Sequence, residues 1–172
     1  MPEGGEAGKP AWTRAAPWFA FAAVLVVLDQ WSKAAVLARL ALGERIELTA
    51  FFNLVLAFNS GAAFSFLADA GGWQKLFLTV LAVIAVVVVS VLLLRNAHQP
   101  RFCAGLTLIL SGALGNLIDR LRLGHVVDFL DFHAMGWHWP AFNVADSAIS
   151  IGAVILILDS FLHRDAKEAG RA

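Results

Sequence analysis

Polar and apolar residues alternate along this chain in long blocks. Four mostly apolar runs approach the roughly 20 residues a helix needs to cross a hydrocarbon layer. They cover about Pro17–Leu40, Trp73–Leu94, Phe102–Leu121 and Asn143–Leu162. The second is the cleanest, since Leu76–Leu94 carries no charge and is dominated by Val, Leu and Ala. Its β-branched run Val86–Val89 would favour a strand in water, but a lone strand in lipid leaves its backbone unsatisfied, so a helix is predicted. Between the first two runs, Arg45-Ile46-Glu47-Leu48-Thr49 alternates with the period of a half-buried strand. Phe51–Phe58 is mostly apolar and ends at the turn signal Asn59-Ser60-Gly61. A small sheet lying on the membrane surface is therefore predicted within 41–72.

Composition agrees with the pattern. Hydrophobic residues make up 59% of the chain and charged residues 15%, with a mean hydropathy of +0.73. A soluble domain is about half apolar and a quarter charged, so this is a membrane protein. Thirteen basic and thirteen acidic residues cancel, and no nucleic-acid-binding signature is present, so no nucleic-acid partner is expected. Six Trp and thirteen Phe, with no Tyr, supply interfacial anchors and lipid-facing bulk. The single Cys103 excludes an internal disulfide and leaves the compartment open.

The first run is preceded by Lys9 and Arg14, as in a signal peptide. It continues into Asp29-Gln30-Trp31-Ser32-Lys33 and not into a small-residue cleavage site, so it reads as retained. Met1–Arg14, with its Gly, Pro and mixed charges, reads as disordered. The expected organisation is an N-terminal tail to residue 16, one four-helix domain over 17–163 and a C-terminal tail over 164–172. Four spans put both termini on one side, with Lys9, Arg14, Arg95, Arg101, Arg164, Lys167 and Arg171. The other side carries Arg39, Arg45, Lys75 and Arg122. Seven basic residues against four predict cytoplasmic termini, with 41–72 and 122–142 facing outward.

The candidate chemistry is concentrated between Gly115 and Ser147. This stretch holds Asp119, Asp128, Asp131 and Asp146 among Asn116, Arg120, Arg122, His125, His133, His138 and Asn143. Ionisable groups next to hydrocarbon are costly and are kept for function. Asp128 lies inside Val126-Val127-Asp128-Phe129-Leu130, and Asp146 lies about one helical turn after Asn143. Both flank one excursion and belong at one membrane surface. Two carboxylates in a poorly hydrated place share a proton. One is then a base for water and the other an acid for a leaving amide. The competing reading makes Asp146 a helix-start residue favoured by the macrodipole, and spacing alone leaves both open.

The other polar residues also carry two readings. Asp29 and Lys33, four apart, form either a structural ion pair or a support for a site. Asn116 and Arg120, with Asp119 between them, either anchor a helix end or serve the site. Gly112, Ala113 and Gly115 allow close helix approach. Asp131 is expected to be a solvated loop residue and Asp159 to face headgroups. The three histidines fit no zinc pattern, so no metal and no cofactor are expected. Cys103, with no His on its side, is not expected to be a nucleophile. A proton-coupled transporter and a structural membrane subunit are the competing functions. The first expects acids along a path across the membrane, and the second leaves the acid cluster unexplained.

Five blocks in order resemble those of the lipoprotein signal peptidases (signal peptidase II), bacterial aspartic peptidases. They are Leu28-Asp29-Gln30-Trp31-Ser32-Lys33, Phe58-Asn59-Ser60-Gly61-Ala62-Ala63-Phe64-Ser65, Gly112-Ala113-Leu114-Gly115-Asn116-Leu117-Ile118-Asp119-Arg120, Val126-Val127-Asp128-Phe129 and Phe142-Asn143-Val144-Ala145-Asp146-Ser147. The resemblance runs from Pro17 to His163. It implies an α-helical membrane fold, a four-transmembrane-helix bundle with a small periplasmic β-sheet cradle after helix 1. It implies Asp128 and Asp146 as the catalytic pair, with Asp29, Lys33, Asn59, Asn116, Asp119, Arg120 and Asn143 binding substrate or supporting the site. It implies lipidated prolipoproteins as substrates, cut just before the diacylglyceryl-modified cysteine, with membrane lipid and the family's cyclic peptide inhibitor globomycin as further partners. The implied location is the bacterial inner membrane, multi-pass, with cytoplasmic termini and the site near the periplasmic face. Two departures stand out: Trp139 precedes Pro140 where the family pattern has Phe, and Met1–Arg14 has no counterpart.

Overall fold

Among the described residues, four apolar segments, each long enough to cross a membrane, form helices. The structure, a computed structural model, describes residues 10–61 and 73–169. The helices are α1 (Ala11–Leu37), α2 (Trp73–Arg95), α3 (Pro100–Leu123) and α4 (Val144–Ala169). Strands β1 (Arg45–Thr49) and β2 (Phe52–Asn59) follow α1, while β3 (Val126–Ala134) and β4 (Trp137–His138) follow α3. The first helix starts at Ala11, ahead of the expected Pro17, and runs through that proline. Pro10 stands at its N-cap and the Thr13 hydroxyl donates to the Pro10 carbonyl (2.6 Å), so Ala11–Arg14 are helix and not tail. Met1–Lys9 and the Ala62–Ser65 part of the second sequence block lie outside the described residues.

The third helix is the centre of the bundle. Two-thirds of its apolar window (67%) is buried, against 11–22% for the other three helices, and it packs on α4, α2 and α1. Lipid tails are as apolar as leucine, so close van der Waals approach and polar contacts must hold such helices together. A methyl group on Gly112 of α3 would run into the backbone carbonyl of Ala145 on α4. Away from the sheet, Ala22, Val89, Leu93, Cys103, Leu106 and Leu110 form the apolar core. Cys103 is buried there and its thiol donates to the Asn96 carbonyl (3.1 Å). Asp159, expected among headgroups, is buried instead.

The sheet is antiparallel in the order β1-β2-β3-β4. The first strand has the predicted bounds, but half of the sheet comes from the excursion between α3 and α4. Pairing of β2 with β3 runs Leu54 opposite Leu130 and then Ala57 opposite Asp128, so β2 carries one extra residue, a bulge. Leu56, Val127 and Phe129 pack on Val36 and Leu40. This seats the sheet on the end of the bundle where α1 and α3 finish and α2 and α4 begin.

The seam between α3 and α4 should tolerate no added bulk. Gly112→Val is expected to destabilise the protein by about 1–3 kcal/mol through overpacking. Thermal unfolding in detergent should show the loss, while lipid-facing Val154→Ala should leave the transition unchanged.

Candidate functional site

Lys33 is a buried charge at the sheet end, 2% exposed within α1. An ammonium has three N–H donors, and here each has an acceptor: Asp119 Oδ2 (2.8 Å), Asp29 Oδ2 (2.9 Å) and Asn116 Oδ1 (3.1 Å). Asp29 passes the connection on, its Oδ1 accepting from the Ala145 backbone N–H (2.9 Å) at the start of α4. Asp119 does the same for the sheet, accepting from Val127 N–H (3.2 Å) in β3. Asp119 thus bonds Lys33 and Val127 and does not simply cap a helix end beside Arg120. Gly115 makes room for this cluster, because a Cβ there would sit 2.5 Å from the Asp29 carboxylate.

Asn143, fully buried, caps α4 by accepting from the Asp146 backbone N–H at Oδ1 (2.9 Å). Its side-chain amide donates to Asp128 Oδ1 (2.7 Å). Asn116 donates to Asp146 Oδ1 (2.7 Å), and Asn59 donates to Asp128 Oδ2 (3.0 Å). Two carboxylates from different elements are therefore joined through two asparagine amides, Asn143 and Asn116, which lie within 3.3 Å of each other. Burial, and then the nearby charge of Asp146, push the Asp128 carboxyl up to about 7; the bonds from Asn59 and Asn143 and the charge of Lys33 pull the other way.

Asp146 opens onto a cavity of about 590 Å³, with Asp128 one layer behind it and reached through Asn59 on the cavity wall. The cavity is polar at one end, where Asn59, Asn116, Arg120 and Ser147 lie. Elsewhere its walls are apolar apart from Ser150, with Leu78, Leu81, Ala82 and Ala85 from α2 and Ile149 and Ile151 from α4. Arg120 donates to the carbonyls of Gly61 (3.2 Å) and Asn116 (3.4 Å) from the cavity wall. All nine residues singled out by the sequence blocks thus fall at this one end of the bundle, in one connected polar network. Trp139, the departure from the family pattern, also lines the cavity.

Two residues carry more than sequence reasoning assigned to them. Gln30 donates to Asp119 Oδ1 (2.8 Å) and lies 3.2 Å from both the Gly115 carbonyl and Asp29 Oδ2, so it seals the Lys33 cluster. Asp131 is not a solvated loop residue; it is 4% exposed within β3. It accepts from buried Asn53 of β2 (2.8 Å) and pairs with His138 (2.9 Å). The signal that finds it is the period-2 alternation of Val127, Phe129 and Asp131, which puts all three on one strand face. The histidines are spent locally: His125 packs at a tilt against Phe58, and His133 stacks on His138.

Known proteins are similar to this chain in sequence and in fold. A family model described as Signal peptidase (SPase) II matches residues 21–162. A protein named lipoprotein signal peptidase from Paraburkholderia phytofirmans is 58% identical over 144 residues, 84% of each chain. One of the same name from Ralstonia nicotianae is 59% identical over 143 residues, 83% of each chain. A bacterial membrane enzyme solved in meso at 2.3 Å resolution superposes with a TM-score of 0.78 at 28% identity, covering 89% of this chain and 91% of its own.

The Lys33 cluster and the raised Asp128 carboxyl each imply a measurable stability effect. Lys33→Met leaves two buried carboxylates uncompensated and should cost about 3–5 kcal/mol. A thermal shift no larger than that of exposed Arg39→Met would contradict this. Asp128 has an ordinary value of 3.8 and about 7 in the folded protein, so the folded state holds a proton that the unfolded chain has released. Stability should therefore fall as pH rises across that window, and less steeply in Asp128→Asn. Unfolding temperatures measured between those pH values check it.

Proposed function

Since the chain belongs to the signal peptidase II family, we propose that it is an aspartic endopeptidase cutting diacylglyceryl-modified prolipoproteins just before the lipidated cysteine. Removal of lipoprotein signal peptides by a multi-pass membrane peptidase follows from the family itself. The aspartate mechanism and the position of the cut are our reading. One observation carries it: Asp146 stands at the polar end of an otherwise apolar cavity, and Asp128, directly behind, is joined to it through Asn143 and Asn116.

The proton raised onto Asp128 gives the pair the two states that hydrolysis needs. Water adds to the scissile carbonyl carbon while the ionised carboxylate takes its proton and the protonated one gives its own to the carbonyl oxygen. The resulting gem-diol collapses: one hydroxyl returns its proton to the carboxylate that had given its own, the proton taken from water passes to the amide nitrogen, and the C–N bond breaks. A new carboxyl terminus leaves on the signal peptide and a free amine on the lipid-bearing cysteine. No covalent enzyme intermediate is formed.

Supporting roles follow from position. Asn59 and Asn143 hold Asp128, Asn116 holds Asp146, and Asp29, Lys33 and Asp119 fix the elements that carry them. Arg120 presents its guanidinium to a substrate carbonyl at the cavity wall. The α2 and α4 faces of the cavity receive apolar parts of the substrate arriving sideways through the lipid, and the cyclic peptide globomycin fills the same space. The excess of basic residues at the opposite end supports cytoplasmic termini in the inner membrane and a site at its periplasmic face.

Purified protein with a diacylglyceryl-modified precursor and an unlipidated control provides the test. The wild type should cut the lipidated peptide and spare the control, and equal cutting of both would remove the lipid dependence. Asp128→Asn and Asp146→Asn should fold but lose cleavage, and turnover by either would remove the dyad. The rate should also decline as pH rises above about 7, where the pair loses its shared proton; a flat profile to higher pH contradicts the proton assignment.

A further inference from the structure

Asn53 and Asn59 are six residues apart in one strand, and Asp128 and Asp131 are three apart in the next. Side chains alternate faces along a strand. A regular β2 would therefore put both asparagines on one face, whereas a regular β3 puts its two aspartates on opposite faces. Yet Asn53 bonds Asp131 and Asn59 bonds Asp128. Both bonds exist because the bulge opposes Val55 and Leu56 to Phe129 alone, reversing the phase of β2 between the two asparagines.

The extra residue is held from outside the ladder. Leu56 N–H donates to the Glu44 carbonyl (3.2 Å), and Gly43 N–H donates to the Leu56 carbonyl (2.9 Å). Leu56 itself is buried against Val36, Leu40, Val127 and Phe129. Gly43 makes its bond from a left-handed backbone (φ 81°), which L side chains rarely adopt. Nothing lies within 4 Å of where its Cβ would be, so a substitution there perturbs the backbone and leaves packing untouched.

We infer that the β2 bulge, clamped by Gly43 and Glu44 on Leu56 and phased by the Asn53–Asp131 bond, is the device that turns Asn59 onto Asp128, making Gly43 a positioning residue for the reaction. The inference rests on the aspartate mechanism proposed above. When the clamp weakens, β2 slips its phase and Asn59 leaves Asp128. The apolar cavity walls on α2 and α4 are untouched, so substrate binding persists while turnover falls.

Cleavage of the lipidated precursor by the full-length protein tests this through Gly43→Val, Gly43→Asn, Asn59→Ala and the Gly43→Val/Asn59→Ala double variant. Valine is strained at positive φ, and the one to two kcal/mol typical of that strain corresponds to about a tenfold fall in kcat, with KM little changed. Asparagine tolerates the left-handed region and should restore most of the rate. Asn59 donates to the charged form of Asp128, so its loss raises the pH of the alkaline limb. Gly43→Val and Asn59→Ala should shift that limb upward alike, and the double variant should be no slower than Asn59→Ala. Wild-type kcat in Gly43→Val, or a loss additive with Asn59→Ala and an unmoved limb, would overturn the inference. If Gly43→Val does not fold, the limb of Asn53→Ala, which removes the phasing bond and leaves Gly43 intact, decides by the same criteria. Failure of the underlying mechanism looks different: Asp128→Asn would then cut as the wild type does.

Discussion

A single buried ammonium group holds the working end of this protein together. Lys33 lies between two carboxylates and an amide in a place nearly free of water, where an unpaired charge would cost far more than an ordinary contact returns. Asp29 and Asp119 are tolerated only because Lys33 is there, and Lys33 only because they are. Each carboxylate uses its other oxygen or lone pair to grip a backbone N–H, Ala145 at the start of α4 and Val127 at the start of β3. Three helices and a strand are thus referenced to one nitrogen atom.

The glycines of the central helix serve the same end. Gly112 lets α4 come close enough for Ala145 to reach Asp29, and Gly115 leaves the volume that the Asp29 carboxylate occupies. Tight packing of α3 on α4 at these glycines contrasts with the cavity beside them, walled by Ala82 and Ala85 of α2 and Ile149 and Ile151 of α4. The bundle is close-packed where it holds charge and open where apolar substrate is proposed to enter.

Much of this was legible in the chain, and the rest was hidden for identifiable reasons. Spans were readable because hydrocarbon thickness imposes a length, and β1 because Arg45–Thr49 alternates strictly. The start of α1 was missed because Pro10 and Arg14 resemble tail composition, although a proline ahead of a helix is a start signal. Spacing alone leaves Asp119 open between helix anchor and site support because its sequence neighbour is Arg120, whereas its partner Lys33 is on another helix. Asp131 was dismissed because the excursion was not read as strand, so its alternation with Val127 and Phe129 went unused. Asp128 and Asp146 were recognisable as a cluster, but local spacing carries no information on which acids face each other. Ordered blocks resembling a known family supplied that choice, and the Asn143–Asn116 bridge supplies the geometry.

Asn143 ties the birth of the protein to its chemistry. Its side chain both starts α4 and holds Asp128, so the last helix cannot take its place without completing the site, nor the site form before that helix arrives. During synthesis the first three helices reach the bilayer without Asn143 and Asp146. On the aspartate mechanism proposed above, a ribosome-tethered intermediate that lacks both residues is inert.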